Sequence, residues 1–195
     1  HFFDACIDWD QEIPTLDRRR RTDFFSRIRA REPHEPMTQE HKDLAASAQH
    51  TFEQVSFRMS EYLFKRNGIR NYTLGGGCAL NCSSNGKLRT LSYVDHIFVQ
   101  PAAHDASTAL GAALKIHTDI TGCRPDFRLE HAYWGPGYSS EEIERTLKAT
   151  GCARHHRSRN IAKETAQLLA DGKVIGWFQG RLEIGPRALG GRSIL

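Results

Sequence analysis

Between residues 69 and 117 the chain twice repeats one order: a short β-leaning run, a loop, then a helix-compatible stretch. In the first copy Ile69 to Leu74 runs into Gly75-Gly76-Gly77, and Ala79 to Leu91 can follow as a helix. In the second, His96-Ile97-Phe98-Val99 reads as a buried strand, Gln100 to Asp105 as a loop with Pro101, and Ala106 to His117 as an Ala-rich helix. Two consecutive units of this kind predict an α/β layer. Just upstream, Leu44, Ala45, Ala48, Phe52, Val55, Met59, Tyr62 and Leu63 recur at spacings of three and four, which predicts a long core-facing helix from Thr38 to Arg66, stopped by Asn67-Gly68. Thr38 with His41 in the place of Glu is half a capping box. Residues 1 to 38 hold Pro14, Pro33 and Pro36 and read as loops with a short helix around Asp23 to Arg31.

Downstream, Gly122, Pro125, Gly135, Pro136 and Gly137 give the stretch from Thr121 to Tyr138 the composition of a linker. Ser139 and Glu142 form a capping box for a helix to about Thr150, closed by Gly151. Asn160 can cap a second helix through Ala170, and Asp171-Gly172 turns into a strand from Val174 to Phe178. At ~150 residues per domain, 195 residues make a little more than one domain. The chain starts without Met and ends on Ser193-Ile194-Leu195, which reads as a piece of something longer whose apolar ending needs a partner outside it.

Composition narrows the class. With 39% hydrophobic and 26% charged residues the chain suits a soluble globular protein. No apolar run approaches the ~20 residues of a membrane span, and the first residues lack the pattern of a leader. A net charge of +4 suits phosphate-bearing ligands without demanding nucleic acid. The run Arg18 to Arg21 lies between Asp17 and Asp23 with no interleaved aromatics and reads as a solvated face. Five cysteines without a C-x-x-C pair argue against zinc sites and disulfide frameworks, and read as small buried thiols in a reducing cytoplasm.

Three places can carry chemistry. Gly75, Gly76 and Gly77 between a strand and a helix let a backbone approach an anion such as nucleotide phosphate, although a tight turn packed on the sheet explains them equally well. The stretch is neither a P-loop nor the dinucleotide fingerprint, which would need Gly at Leu80. Asn81 and Asn85, four residues apart on the following helix, can hydrogen-bond ribose or phosphate, or be ordinary helix surface. Asp105, past a strand end, is a candidate ligand for Mg, Mn or Fe, with a helix cap made with Ser107 as the simpler reading. Arg181, Arg187 and Arg192 gather around Glu183 and Gly185-Pro186 among apolar neighbours, a pattern that suits a partly buried phosphate or carboxylate site.

Four segments together resemble the NodU/CmcH carbamoyltransferase family: Met37 to Gln49, Leu74 to Cys82, Gln100 to Leu114, and Gly180 to Leu195, the last being the most specific. The resemblance implies an O-carbamoyltransferase in which ATP and carbamoyl phosphate form a carbamoyl-adenylate, whose carbamoyl group passes to a hydroxyl of a small molecule or glycan with help from a divalent metal. The implied fold is α/β: residues 1–121 as the C-terminal half of an ASKHA-like domain (the actin, sugar kinase and heat-shock ATPase fold), 122–137 as a linker, and 138–195 as the start of a YrdC-like domain. Carried over, Gly75, Gly76 and Gly77 hold the nucleotide with Asn81 and Asn85 as neighbours, Asp105 is one metal ligand, and Arg187, with Arg181 and Arg192, binds phosphate. No nucleic acid or membrane partner is implied. His104-Asp105-Ala106-Ser107 departs from the small residues expected there, and the first half of the ASKHA-like domain and the rest of the YrdC-like domain are missing, so the chain alone is not expected to complete the reaction. The alternative is a non-catalytic nucleotide-binding module of the same ancestry.

Overall fold

A computed structural model describes residues 3–126, 128–152 and 154–195 as a mixed α/β structure whose contacts divide it into two units, His1–Val99 and Gln100–Leu195. In the first unit a 3-10 turn, Phe3–Cys6, precedes an antiparallel pair, β1 (Ile7–Asp8) and β2 (Thr15–Leu16), and helix α1 (Arg18–Ser26). This helix lies earlier than the expected Asp23 to Arg31. The Asp17 carboxylate accepts from the amides of Arg19 at 2.9 Å and Arg20 at 3.0 Å, an N-cap that the arginine run disguises. Arg18 to Arg21 are all exposed.

Helix α2 (Gln39–Asn67) forms where the periodicity placed it. The Thr38 amide donates to His41 Nδ1 at 3.0 Å, so the imidazole completes the capping box that a glutamate would ordinarily close. Gly68 ends the helix at φ 65 and donates to the Phe64 carbonyl at 2.8 Å. The expected apolar stripe is not the most buried face: Met59 and Leu63 are exposed, while Ser47, Thr51, Glu53 and Ser60 are buried. Long-range hydrogen bonds to the N-terminal turn account for two of these, since Ser47 accepts from the Phe3 amide at 3.2 Å and Thr51 donates to Asp4 at 2.6 Å.

Strands β3 (Asn71–Leu74) and β4 (His96–Val99) pair in parallel with Tyr72 opposite Ile97, as the repeated strand–loop–helix order requires. Tyr72, Leu88 and Val94 form the core beneath them, with Phe57, Leu74, Leu91, Tyr93 and Ile97 packed around. Helix α3 covers only Cys82–Leu88, not Ala79 to Leu91, because a 3-10 turn at Gly77–Leu80 precedes it and Asn81 starts a new cap.

In the second unit a 3-10 turn, Asp105–Ser107, leads into α4 (Thr108–Thr121), closed by Gly122 at φ 67. Helix α5 (Ser140–Ala149) has the expected capping box, with the Ser139 amide donating to Glu142 at 2.8 Å and the Glu142 amide to Ser139 at 3.2 Å. The Asn160 side chain caps α6 (Ile161–Ala170) through the Lys163 amide at 3.1 Å. Strand β5 (Gly176–Phe178) pairs antiparallel with β6 (Arg192–Ile194), an unexpected strand. The apolar ending therefore has a backbone partner within the chain, the Leu195 amide donating to Ile175 at 2.9 Å, while the Ile194 side chain stays 83% exposed. Part of the linker-like stretch is also built in: Ile184 donates to Ala132 at 2.8 Å and Leu182 to Pro136 at 2.9 Å. Among the described residues no helix is long and apolar enough to cross a membrane.

Cys6 alone among the five cysteines is buried, which corrects the reading of all five as buried thiols. The other four lie at exposed positions in the glycine loop, in α3 and beside the ends of α4 and α5. Burial, reinforced by the charge of Asp17, pushes the Cys6 thiol up from its ordinary value.

Candidate functional site

The glycine loop leaves β3 exposed, and a Cβ placed on Gly75, Gly76 or Gly77 would meet nothing within 4 Å. Gly76, at φ 85, takes a conformation that other residues avoid. The space beside the loop is open, while the Gly76 carbonyl accepts from the Ala79 amide at 3.0 Å. Beside Gly75 lies a groove of about 400 Å³ whose walls include Phe52, Val55, Met59 and Leu63 from α2, so the apolar stripe of that helix borders the loop.

The side chains after the loop are already engaged. Asn81 Oδ1 accepts from the Ser84 amide at 3.1 Å and from Gln49 at 3.2 Å, and Asn81 Nδ2 donates to Gln49 Oε1 at 2.8 Å. Asn85 Nδ2 donates to the Ala79 carbonyl at 2.7 Å. Both asparagines thus shape the loop, and Asn81 occupies an amide at the α3 N-terminus that an anion would otherwise use. Behind them Glu53 accepts from Lys87 at 2.8 and 2.6 Å and from Gln49 at 2.8 Å. Hydrogen bonds from Lys87 and Gln49 outweigh the opposing effect of burial and hold the Glu53 carboxyl below its ordinary value. Sequence reasoning missed Gln49, Glu53 and Lys87. The only signal was the four-residue spacing of Gln49 and Glu53 on the polar side of α2.

In the second unit His104, not Asp105, caps the 3-10 turn that leads into α4: its Nδ1 accepts from the Ala106 amide at 3.0 Å. Ser107 makes no side-chain cap either. Asp105 is exposed, and among the described residues its carboxylate has no hydrogen bond or ion pair, which leaves it available to a ligand. Among the described residues no three His, Cys, Asp or Glu side chains gather into a metal-binding group. The donor set present therefore does not fit a metal by itself; Asp105 supplies one hard oxygen. His156 is paired with Glu164 at 2.7 Å.

The three arginines have different surroundings. Arg181 Nε donates to the Gly135 carbonyl at 2.9 Å. Arg192 is half-buried and donates to the carbonyls of Gly185 and Arg187. Arg187 is exposed, and its side chain has no partner among the described residues. The expected partly buried setting thus holds for Arg192 alone. At the centre is Glu183, buried, which accepts from the amides of Leu189 at 3.1 Å and Gly191 at 2.9 Å. Burial pushes its carboxyl up, but those amides and the Arg192 charge outweigh it and hold the group below its ordinary value.

Residues 3–114 match the family described as carbamoyltransferase N-terminus, and residues 166–195 match carbamoyltransferase C-terminus. The chain is 47% identical over 162 residues to nodulation protein NolNO of Sinorhizobium fredii, covering 82% of this chain and 24% of that protein. It is 46% identical over 170 residues to nodulation protein NolO of Bradyrhizobium diazoefficiens, covering 86% and 31%. It is 37% identical over 125 residues to 3'-hydroxymethylcephem-O-carbamoyltransferase of Streptomyces clavuligerus, covering 63% and 22%. The chain therefore spans less than a third of the length of these relatives. Its match to the N-terminal family runs through the glycine loop and Asp105, and its match to the C-terminal family through all three arginines, so the chain belongs to the carbamoyltransferase family.

Proposed function

We propose that these residues form part of an ATP-dependent O-carbamoyltransferase, with residues 1–121 from an ASKHA-like domain, 122–137 as a linker and 138–195 opening a YrdC-like domain. Water releases carbamate and phosphate from carbamoyl phosphate. A carbamate oxygen attacks the α-phosphorus of ATP, and pyrophosphate leaves. The acceptor hydroxyl oxygen then attacks the carbamoyl carbon of the adenylate, loses its proton, and AMP leaves. The acceptor is a small molecule or glycan, and the reaction takes place in the cytoplasm without nucleic acid or membrane.

The observation that carries this reading is the exposed, unpartnered Arg187 guanidinium in a chain of this family: a fork of donors that matches phosphate geometry. Arg181 and Arg192 use only some of their donors on carbonyls and can assist it. Gly75, Gly76 and Gly77 admit the nucleotide backbone-close, with Asn81 and Asn85 holding the loop's shape. Asp105 offers one ligand to a divalent Fe, Mn or Mg ion whose other donors lie outside these residues.

The test uses the full-length protein with ATP, carbamoyl phosphate and a panel of hydroxyl acceptors. Pyrophosphate release that depends on carbamoyl phosphate is expected, with Asp105→Ala and Arg187→Ala each lowering turnover by about 10²-fold. Absence of such release from the wild type removes the reading. Release that survives both substitutions removes the assigned roles, and nucleotide binding without any turnover identifies a non-catalytic module.

A further inference from the structure

Glu183 ties the backbone of the arginine loop from one side and Arg192 ties it from the other. The Glu183 side chain is 1% exposed, and its Oε1 collects the amides of Leu189 and Gly191 on the far arm of the loop. Arg192 collects the carbonyls of Gly185 and Arg187 on the near arm. The two side chains face each other, Arg192 Nε lying 3.6 Å from Glu183 Oε2, an oxygen with no hydrogen-bond donor among the described residues. The loop is also walled in: a Cβ on Gly185 would lie 2.1 Å from the Pro101 carbonyl oxygen, and one on Gly191 would lie 2.7 Å from the Tyr133 ring. Arg187, on the near arm, is exposed.

We propose that Glu183 is a positioning residue for anion binding at Arg187: it fixes the loop backbone and keeps Arg192 on the loop carbonyls, leaving Arg187 to meet the phosphate. The inference rests on the carbamoyltransferase reading for the identity of that phosphate. A buried carboxylate is expensive to keep ionised, and a neutral amide would close a purely structural loop at lower cost. Its charge has a use here, because it holds the Arg192 guanidinium on the loop, so that Arg187 is the guanidinium left open to an incoming anion.

Glu183→Gln separates charge from hydrogen bonding, since the amide oxygen can still accept from Leu189 and Gly191 while the NH2 group turns a donor toward Arg192. In full-length protein, pyrophosphate release is measured while ATP and carbamoyl phosphate are varied in turn. Glu183→Gln is expected to raise KM for at least one of them about fivefold or more, with kcat within about twofold and the melting temperature nearly unchanged. Glu183→Ala, which loses both functions, should exceed that change. Kinetics within twofold of wild type for both substrates would overturn the proposal. A second arm needs no reaction: calorimetric titration with inorganic pyrophosphate, where Glu183→Gln and Arg187→Ala are each expected to weaken binding about fivefold or more. Equal binding by wild type and Glu183→Gln, or no binding by the wild type, overturns the positioning role. Weakened binding in a protein that releases no pyrophosphate supports it and sinks only the carbamoyltransferase reading.

Discussion

Glu53 and Glu183 are both buried carboxylates, yet they are satisfied by different means. Glu183 is held by backbone amides, whereas Glu53 depends on Lys87, which is itself 59% exposed. Because Lys87 and Gln49 depress the Glu53 carboxyl, its stabilising contribution is present above the unfolded glutamate value of about 4.3 and is lost as pH falls through the lower folded value. Replacing Glu53 by Gln should cost about 1 to 3 kcal/mol at neutral pH and remove that part of the pH dependence. Urea melts at pH 7 and pH 3 check it: wild type should lose more stability between the two than the variant, and equal losses would dismiss the assigned role. Neither carboxylate was legible as a structural centre in the sequence. Glu53 lies on the polar side of an amphipathic helix, where most glutamates are solvated, and Glu183 was visible only as a neighbour of arginines. Asp105 was legible as a candidate, but its competing role as a cap was resolved only by the position of the His104 ring.

At the scale of elements, periodic signals were reliable and local caps decided the boundaries. The α2 pattern, the Ser139–Glu142 box and the Asn160 cap all produced the expected helices. The misplaced α1 and the shortened α3 trace to Asp17 and Asn81, whose side-chain oxygens start helices where apolar spacing showed nothing. Strand β6 was hidden because three residues carry no alternation to read. Two glycines make a contrasting pair. Gly111, in the interior of α4, has open space where an alanine Cβ would stand, with nothing within 4 Å, so Gly111→Ala should stabilise by about 0.5–1 kcal/mol. Gly185, at φ 97 against the Pro101 carbonyl, has neither the conformation nor the space, and Gly185→Ala should destabilise by more than about 2 kcal/mol. Thermal melts of the two variants should move in opposite directions; a shift of the same sign would refute the assignment of this loop as a close-packed element.

For the molecule as a whole, the distribution of buried apolar side chains is uneven. The first unit buries Tyr72, Leu88 and Val94, while the buried apolar residues described in the second are Ala102, Ala103 and Ala132. Large side chains on its helices, Ile116, Ile120, Ile143 and Ile161 among them, remain exposed. The 195-residue chain by itself should therefore bind 1-anilinonaphthalene-8-sulfonate and melt broadly, with the second unit losing structure first. A single sharp calorimetric transition without dye binding would contradict this. The sequence class and its α/β order could be read in advance because they follow from periodicity and glycine placement; the uneven core could not, because burial is decided by which faces find neighbours. The close approach of Gly185 to Pro101 has a mechanical consequence. The segment leading to Asp105 and the loop carrying Arg187 meet backbone to backbone at Pro101 and Gly185, with no side chain between them to give way.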